Sequence, residues 1–263
     1  MVNAHQFNTN MGKIYSKKET LDFFNDSIHD ISNLYKSKCI NRRGKTSDIP
    51  SEYYTEIISG ELLQRLNEFN KIDRITRKSS YIVENHRNYI LSNTNRREEN
   101  FAKQMLGKEV FGLGKIIEYQ IPLKDTSKNF GIGKIDLLSY QKQNTTLYII
   151  ELKLDNINET LLRAIIEIYT YWLTIDMDKL KNDIIAKCPF YNSLNIDVET
   201  FKKCNIQPAV MVVSAFENRH NSFKELKELE NDNRPMLKAL SNKLGITFFS
   251  PDIKYYQTSL HVD

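Results

Sequence analysis

Apolar residues recur at three- and four-residue spacing between residues 15 and 40. Leu21, Phe24, Ile28, Ile31 and Tyr35 mark one face, and the pattern predicts a single amphipathic helix. The polar stretch NRRGKTSDIPS reads as a loop after it. Further helices are predicted from about Glu52 to Asn70 and from about Ser80 to Leu91. The period then changes. RREENFAKQML (96–106) reads as a short helix with Phe101, Ala102 and Met105 on its buried side. KIIEYQIPL (115–123), GKIDLLSY (133–140) and TLYIIELKL (146–154) read as strands, the last two joined by QKQNTT in a hairpin. A long helix from about Ile157 to Ile175 opens after DNIN, with strong capping residues. QPAVMVVSA (207–215) is a buried strand, RPMLKALSNKL (234–244) a helix ended by Gly245, and ITFFS a last strand. This order predicts an α/β fold: a mixed central sheet flanked by helices, over residues 93–263, behind an N-terminal helical region, residues 1–92.

The hairpin carries the chemistry. Glu151 and Lys153 are two residues apart in YIIELKL, so a strand turns both to one face. Ile149, Ile150, Leu152 and Leu154 surround them, and burying such ions is costly without compensation. Asp136 stands alone among apolar neighbours in GKIDLL, and the QKQNTT turn can bring it close to Glu151. Two carboxylates converging there make a hard oxygen site suited to Mg²⁺, which takes few protein ligands plus water and substrate phosphate. A lysine beside such an ion can orient the attacking water or offset transition-state charge. Phosphodiester hydrolysis is the reaction these residues suit.

GKIDLL followed by IIELK resembles the D…ExK core of the PD-(D/E)XK nuclease superfamily. It is most similar to the branch in which an E-Y strand precedes G-[RK]-I-D-L-L. The chain supplies Glu118 and Tyr119, then Gly133 to Leu138 around Asp136, then Glu151, Leu152 and Lys153. RecB-type members carry QxxxY on the next helix; here Glu167 replaces the glutamine and Tyr171 matches. The resemblance covers residues 96–175, and 205–250 by element order only. It implies a restriction-endonuclease-like core and a Mg²⁺-dependent endonuclease or other nuclease acting on DNA, with Mn²⁺ expected to substitute. Restriction, phage defence and DNA repair all use such enzymes. Asp136, Glu151 and Lys153 would be catalytic, together with an acidic residue on the helix before the first strand. Glu98 is favoured over Glu99 because it lies three residues before Phe101. Asp136, Glu151, Glu98 and the backbone carbonyl of Leu152 would hold the metal. The alternatives are a catalytically silent nuclease-fold module for DNA binding or protein assembly, or a nuclease acting on RNA.

Composition adds limits rather than direction. The chain has 263 residues, with 40% apolar and 27% charged, as in ordinary globular proteins. A net charge of +4 permits a polyanionic partner without demanding one. Cys39, Cys188 and Cys204 are scattered and odd in number, which suggests a reducing cytoplasm. No apolar run approaches the roughly 18 residues of a membrane helix, so no membrane association is expected; a homodimer is compatible with the sequence. The histidines lack HxxxH or HExxH spacing, FGLGK is not a P-loop, and GxSxG is absent.

Each candidate also has a structural reading. The three hairpin residues could form an ion-pair cluster, and Glu98 could simply favour a helix dipole. Glu118 could sit at a strand edge, Tyr171 and Trp172 in the core, and Arg163 with Glu167 in an i,i+4 pair. Arg42, Arg43, Lys45 and residues 74–78 could grip a phosphate backbone or lie on solvated faces.

Overall fold

A computed structural model describes residues 14–49, 52–88, 96–124, 133–154, 159–213 and 221–251. Among these described residues six strands form one sheet in sequence order: β1 (Glu109–Val110), β2 (Gly114–Pro122), β3 (Lys134–Gln141), β4 (Thr146–Leu154), β5 (Asn205–Val213) and β6 (Thr247–Phe249). β1 to β4 pair antiparallel with one another in succession, whereas β5 adds parallel to β4 and β6 parallel to β5, so the sheet is mixed as expected. The helices are α1 (Lys17–Ser27), α2 (Tyr54–Gln64), α3 (Arg97–Met105), α4 (Leu161–Thr174), α5 (Met177–Lys187), α6 (Val198–Lys202), α7 (Asn221–Glu230) and α8 (Pro235–Lys243). β1, α5, α6 and α7 were not anticipated from periodicity; β1 and α6 are too short to show one.

β4 lies between β3 and β5 and is buried from Thr146 to Lys153, which explains its nearly unbroken apolar sequence. Its two faces serve different layers. Leu147 and Ile149 enter a large core with Leu162, Ile165 and Ile168 of α4. Tyr148, Ile150 and Leu152 pack with Ala102 and Met105 of α3. The β3–β4 hairpin closes where Gln141 pairs with Thr146, and Thr145 takes a left-handed φ of 53° to turn the chain.

The N-terminal helices share that larger core: Phe24, Ile31, Tyr35, Ile58 and Leu62 belong to the same cluster as Ile149 and Ile165. The expected first helix is divided. α1 ends at Ser27, and a 3-10 helix, Ile28–Lys36, follows with a kink at Asp30. Ile28, Ile31 and Leu34 are all buried, and their three-residue spacing is the repeat a 3-10 helix eclipses. The second helix likewise passes from α2 into a 3-10 turn, Leu66–Lys71. The expected helix from Ser80 to Leu91 is absent: a 3-10 turn, Glu84–Asn88, is present instead, and 89–91 lie outside the described residues. Side chains take the amides a helix would need there. The Tyr81 N–H donates to Asp183 Oδ2 (2.9 Å) and the Ile82 N–H to Ser80 Oγ (3.1 Å).

α4 starts at Leu161, with Thr160 as its N-cap; residues 157–158 of the predicted span lie outside the described residues, as do 214–215 of the predicted β5 strand. α8 is anchored on α2, because Glu56 accepts the Met236 and Leu237 N–H groups at the helix start (2.9 and 3.0 Å). Arg234, just before α8, stacks on the Tyr53 ring at 3.4 Å. Among the described residues no helix is long and apolar enough to cross a membrane.

Candidate active site

β3 and β4 pair from the turn up to Leu137 and Ile150, where the ladder ends. Beyond that point side-chain carboxylates replace the missing strand partner along the β4 edge. The Leu152 N–H donates to Asp136 Oδ2 at 2.9 Å, and the Leu154 N–H donates to Glu98 Oε1 at 3.2 Å. In a strand the N–H and C=O of one residue face the same edge, so the Leu152 carbonyl also faces this fork. Glu98 thus reaches the hairpin from α3. Glu99 turns instead to Arg96 (3.3 Å) and Lys103 (2.8 Å), so of the two acidic residues it is Glu98 that reaches the hairpin.

Asp136 is held on its other side by β2, where Gln120 Nε2 donates to Asp136 Oδ1 at 2.8 Å. Gln120 sits opposite Asp136 with a φ of 48°, a conformation that side-chain-bearing residues seldom adopt. Such strain persists where surrounding structure imposes it, commonly at functional sites.

Glu151 and Lys153 lie on one face, each only 4% exposed. Lys153 Nζ bridges two carboxylates, Glu151 Oε1 at 2.8 Å and Glu159 Oε2 at 2.7 Å. Arg163 Nη1 meets the other Glu159 oxygen at 2.6 Å, and Arg163 Nε lies 3.9 Å from Glu167 Oε2. Tyr171 donates its hydroxyl to Glu167 Oε1 at 2.8 Å, with the Tyr35 hydroxyl 3.4 Å away. A polar chain therefore runs from the N-terminal helices to the hairpin.

Among the described residues five carboxylates share two cations here, and burial lifts the pKa of three of them. Burial raises Asp136 to about 6, against the pull of Lys153, the Leu152 N–H and Gln120. Burial raises Glu98 to about 7, opposed by Lys153 and reinforced by Asp136. Glu151 is pushed well above the carboxylate range by burial and then by the charges of Asp136 and Glu167. Burial works against the Lys153 ammonium, yet Glu151, Glu167, Glu98 and Glu159 outweigh it and hold that amine well above its usual pKa. Lys153 is a cation, and more carboxyl groups crowd the site than it and Arg163 can pair. A hard divalent cation suits that surplus of oxygen donors, as it would displace protons from the raised carboxyls. Among the described residues, no three or more His, Cys, Asp or Glu side chains already form a group able to hold a metal ion. Mg²⁺ typically takes only one or two protein carboxylates, so a smaller set suffices.

Other candidates are held in contacts within the fold. Glu118 is buried, with its Oε1 2.7 Å from His86 Nδ1 and accepting the Tyr119 N–H (2.9 Å). Trp172 donates its indole N–H to the Ile206 carbonyl (2.9 Å). Arg42 stacks on the Tyr15 ring (3.7 Å), Lys45 lies over Tyr53 (4.8 Å), and buried Arg77 donates to the Pro122 carbonyl (2.7 Å). Sequence reasoning missed Gln120 and Glu159. Glu159, Arg163 and Glu167 do recur at four-residue spacing, which was the available signal for Glu159. Compared with known protein families, curated proteins and solved structures, the chain has no match.

Proposed function

We propose that this chain is a Mg²⁺-dependent nuclease of the PD-(D/E)XK type that hydrolyses DNA phosphodiesters. The observation that carries the reading is the β3–β4 fork, where Asp136 and Glu98 accept the Leu152 and Leu154 N–H groups beside the Glu151–Lys153 pair. The succession α3, antiparallel β2–β3–β4, α4 and parallel β5 supports a restriction-endonuclease-like core. Asp136, Glu151 and the Leu152 carbonyl would hold the cation, with Glu98 assisting. When bound, Mg²⁺ or Mn²⁺ would neutralise phosphate charge and acidify a water. Asp136 is kept in place for that task by Gln120 and the Leu152 N–H. Lys153, held as an ammonium, would orient the attacking water and offset charge on the phosphate oxygens in the transition state. The fork lies at the end of the β3–β4 ladder, where a DNA strand would meet it.

The test is a panel of labelled single-stranded, duplex and branched DNA, with RNA alongside, incubated with Mg²⁺ or Mn²⁺, comparing wild type with Lys153→Ala. Metal-dependent cleavage that the variant loses supports the reading; no cleavage of any substrate overturns it. Cleavage confined to RNA would move the substrate class. A catalytically silent module for DNA binding or protein assembly is the second reading, favoured by the Lys153 ammonium already occupying Glu151 at 2.8 Å. Calorimetric titration with Mg²⁺ separates the two, since a silent module has no affinity that depends on Asp136 and Glu151.

A further inference from the structure

The Lys153 ammonium has two carboxylate partners, and only one of them is a metal ligand in the reading above. Glu151 is wanted by the cation, whereas Glu159 reaches Lys153 from outside the sheet, just before the N-cap of α4. Glu159 is itself fixed. Arg163, one turn into α4, takes its second oxygen at 2.6 Å. The adjoining backbone is clamped from two other parts of the chain. The Thr160 N–H donates to Asn41 Oδ1 (2.9 Å), and the Thr160 hydroxyl donates to the Ile40 carbonyl (2.8 Å). The Leu161 N–H donates to the buried Glu225 carboxylate of α7 (2.6 Å). A surface salt bridge on a mobile side chain would need none of this. The Glu159 side chain is only 19% exposed, its Lys153 partner is buried, and the chain on which it stands is pinned by N-terminal residues and α7.

From this arrangement we propose that Glu159 is the positioning residue of Lys153, and that the N-terminal region serves catalysis by fixing Glu159. The proposal rests on the nuclease reading. Without a second partner, Lys153 would remain committed to Glu151 and compete with the cation for its oxygens. With Glu159 present, the ammonium keeps a buried counter-charge while Glu151 engages the cation, and Lys153 stays beside the fork rather than swinging away. Arg163 sets the direction from which Glu159 pulls. Such supporting groups orient the groups that touch metal or substrate, and losing one typically costs about 10- to 100-fold in metal affinity or activity.

The experiment uses the full chain. Glu159→Gln keeps the shape and removes the charge; Glu159→Asp keeps the charge and shortens the reach, and serves if the glutamine variant fails to fold. Cleavage rates under saturating DNA, DNA dissociation constants and calorimetric Mg²⁺ affinities are compared for wild type, both variants, Lys153→Ala and the Glu159→Gln, Lys153→Ala double variant. The expected result is a kcat about 10- to 100-fold lower and weaker Mg²⁺ binding, at unchanged DNA affinity. In the Lys153→Ala background, removing Glu159 is expected to lower kcat no further, because the residue it positions is gone. Unchanged kcat in both Glu159 variants, or effects that multiply independently with Lys153→Ala, would overturn the proposal and leave the nuclease reading standing. A wild type that neither cleaves nor binds Mg²⁺ would overturn the nuclease reading, and the role assigned to Glu159 would fall with it.

Discussion

The carboxylate of Asp136 on β3 accepts the backbone N–H of Leu152 on β4 at 2.9 Å, one step past the last residue pair of their ladder. A side chain stands in for the strand that has peeled away. This contact gives Asp136 its register against Glu151 and turns the Leu152 carbonyl toward the same opening. It also explains how a carboxylate is tolerated there, since two donors meet it while burial raises its pKa to about 6.

Asp136→Asn tests whether that charge serves function or packing. The amide oxygen still accepts the Leu152 N–H, and Gln120 can reverse its own amide to meet the new NH₂. Mg²⁺-dependent cleavage is expected to fall at least about 100-fold. Stability of the metal-free protein moves the other way. Wild-type Asp136 titrates near 3.8 when unfolded and near 6 when folded, so folding loses stability as pH rises through that window. The asparagine variant escapes this loss. It should melt higher than wild type at pH 8 without metal, and should gain less than wild type from added Mg²⁺. A variant that melts well below wild type would make Asp136 a structural group.

Gln120 supplies a second test, because its φ of 48° reverses an ordinary preference. Inside a strand, glycine is normally worse than alanine by about 0.5–1 kcal/mol. At a left-handed position alanine bears a strain of roughly 1–2 kcal/mol that glycine avoids. Gln120→Gly is therefore expected to be more stable than Gln120→Ala by about 1 kcal/mol in urea titrations. Both lose the donor to Asp136 and should cleave about tenfold less well. An alanine variant as stable as the glycine variant would mean that the backbone there is not left-handed.

The hairpin was legible because its signals agree. A polar turn, charges stranded in apolar runs and the two-residue separation of Glu151 and Lys153 all place these residues with Asp136 on one side of a strand pair. Glu98 was legible through the stripe of Ala102 and Met105, which does face the sheet. Gln120 was not, since nothing in EYQIPL announces a residue of positive φ in mid-strand. The helix predicted over Ser80–Leu91 failed for a tertiary reason: Tyr81 and Ile82 are adjacent and both buried, and the Tyr81 amide is claimed by Asp183, a hundred residues away. Glu159 stood inside the predicted Ile157–Ile175 helix with nothing to mark its partner, and only folding brings Asn41 and Glu225 to the backbone beside it.

Glu225 gives a stability prediction independent of the fork. Burial raises its carboxyl to about 7, against the Leu161 N–H and the Arg234 charge, with Glu228 and Glu56 adding repulsion. Its ordinary value is 4.5, so between these values the folded chain holds a proton that the unfolded chain has released. This group's contribution to stability is therefore fullest below about pH 4.5 and falls as pH rises through 7, by on the order of 1–3 kcal/mol. Glu225→Gln still accepts the Leu161 N–H and carries no charge. Its melting temperature should fall less steeply than that of wild type between pH 5 and 8. Parallel pH profiles for the two proteins would show that Glu225 ionises normally.

Gly133 immediately precedes β3, and a methyl group added to it would collide with the Tyr171 hydroxyl and crowd the ring carbon that bears it. That ring is 2% exposed and its hydroxyl is bonded to Glu167, so it has little freedom to withdraw. Gly133→Ala is expected to destabilise the fold by about 1–3 kcal/mol, the usual range for overpacking. It should also weaken cleavage, because the displaced Tyr171 releases Glu167 beside the buried carboxylates. Tyr171→Phe alone leaves Glu167 without its donor and should cost about 1–3 kcal/mol. Combined with Gly133→Ala, however, it removes the obstructing oxygen. The double variant is therefore expected to be less destabilised than the two single effects summed, by at least about 0.5 kcal/mol in a double-mutant cycle. Strict additivity would place the collision elsewhere and would separate the start of β3 from the Tyr171–Glu167 pair.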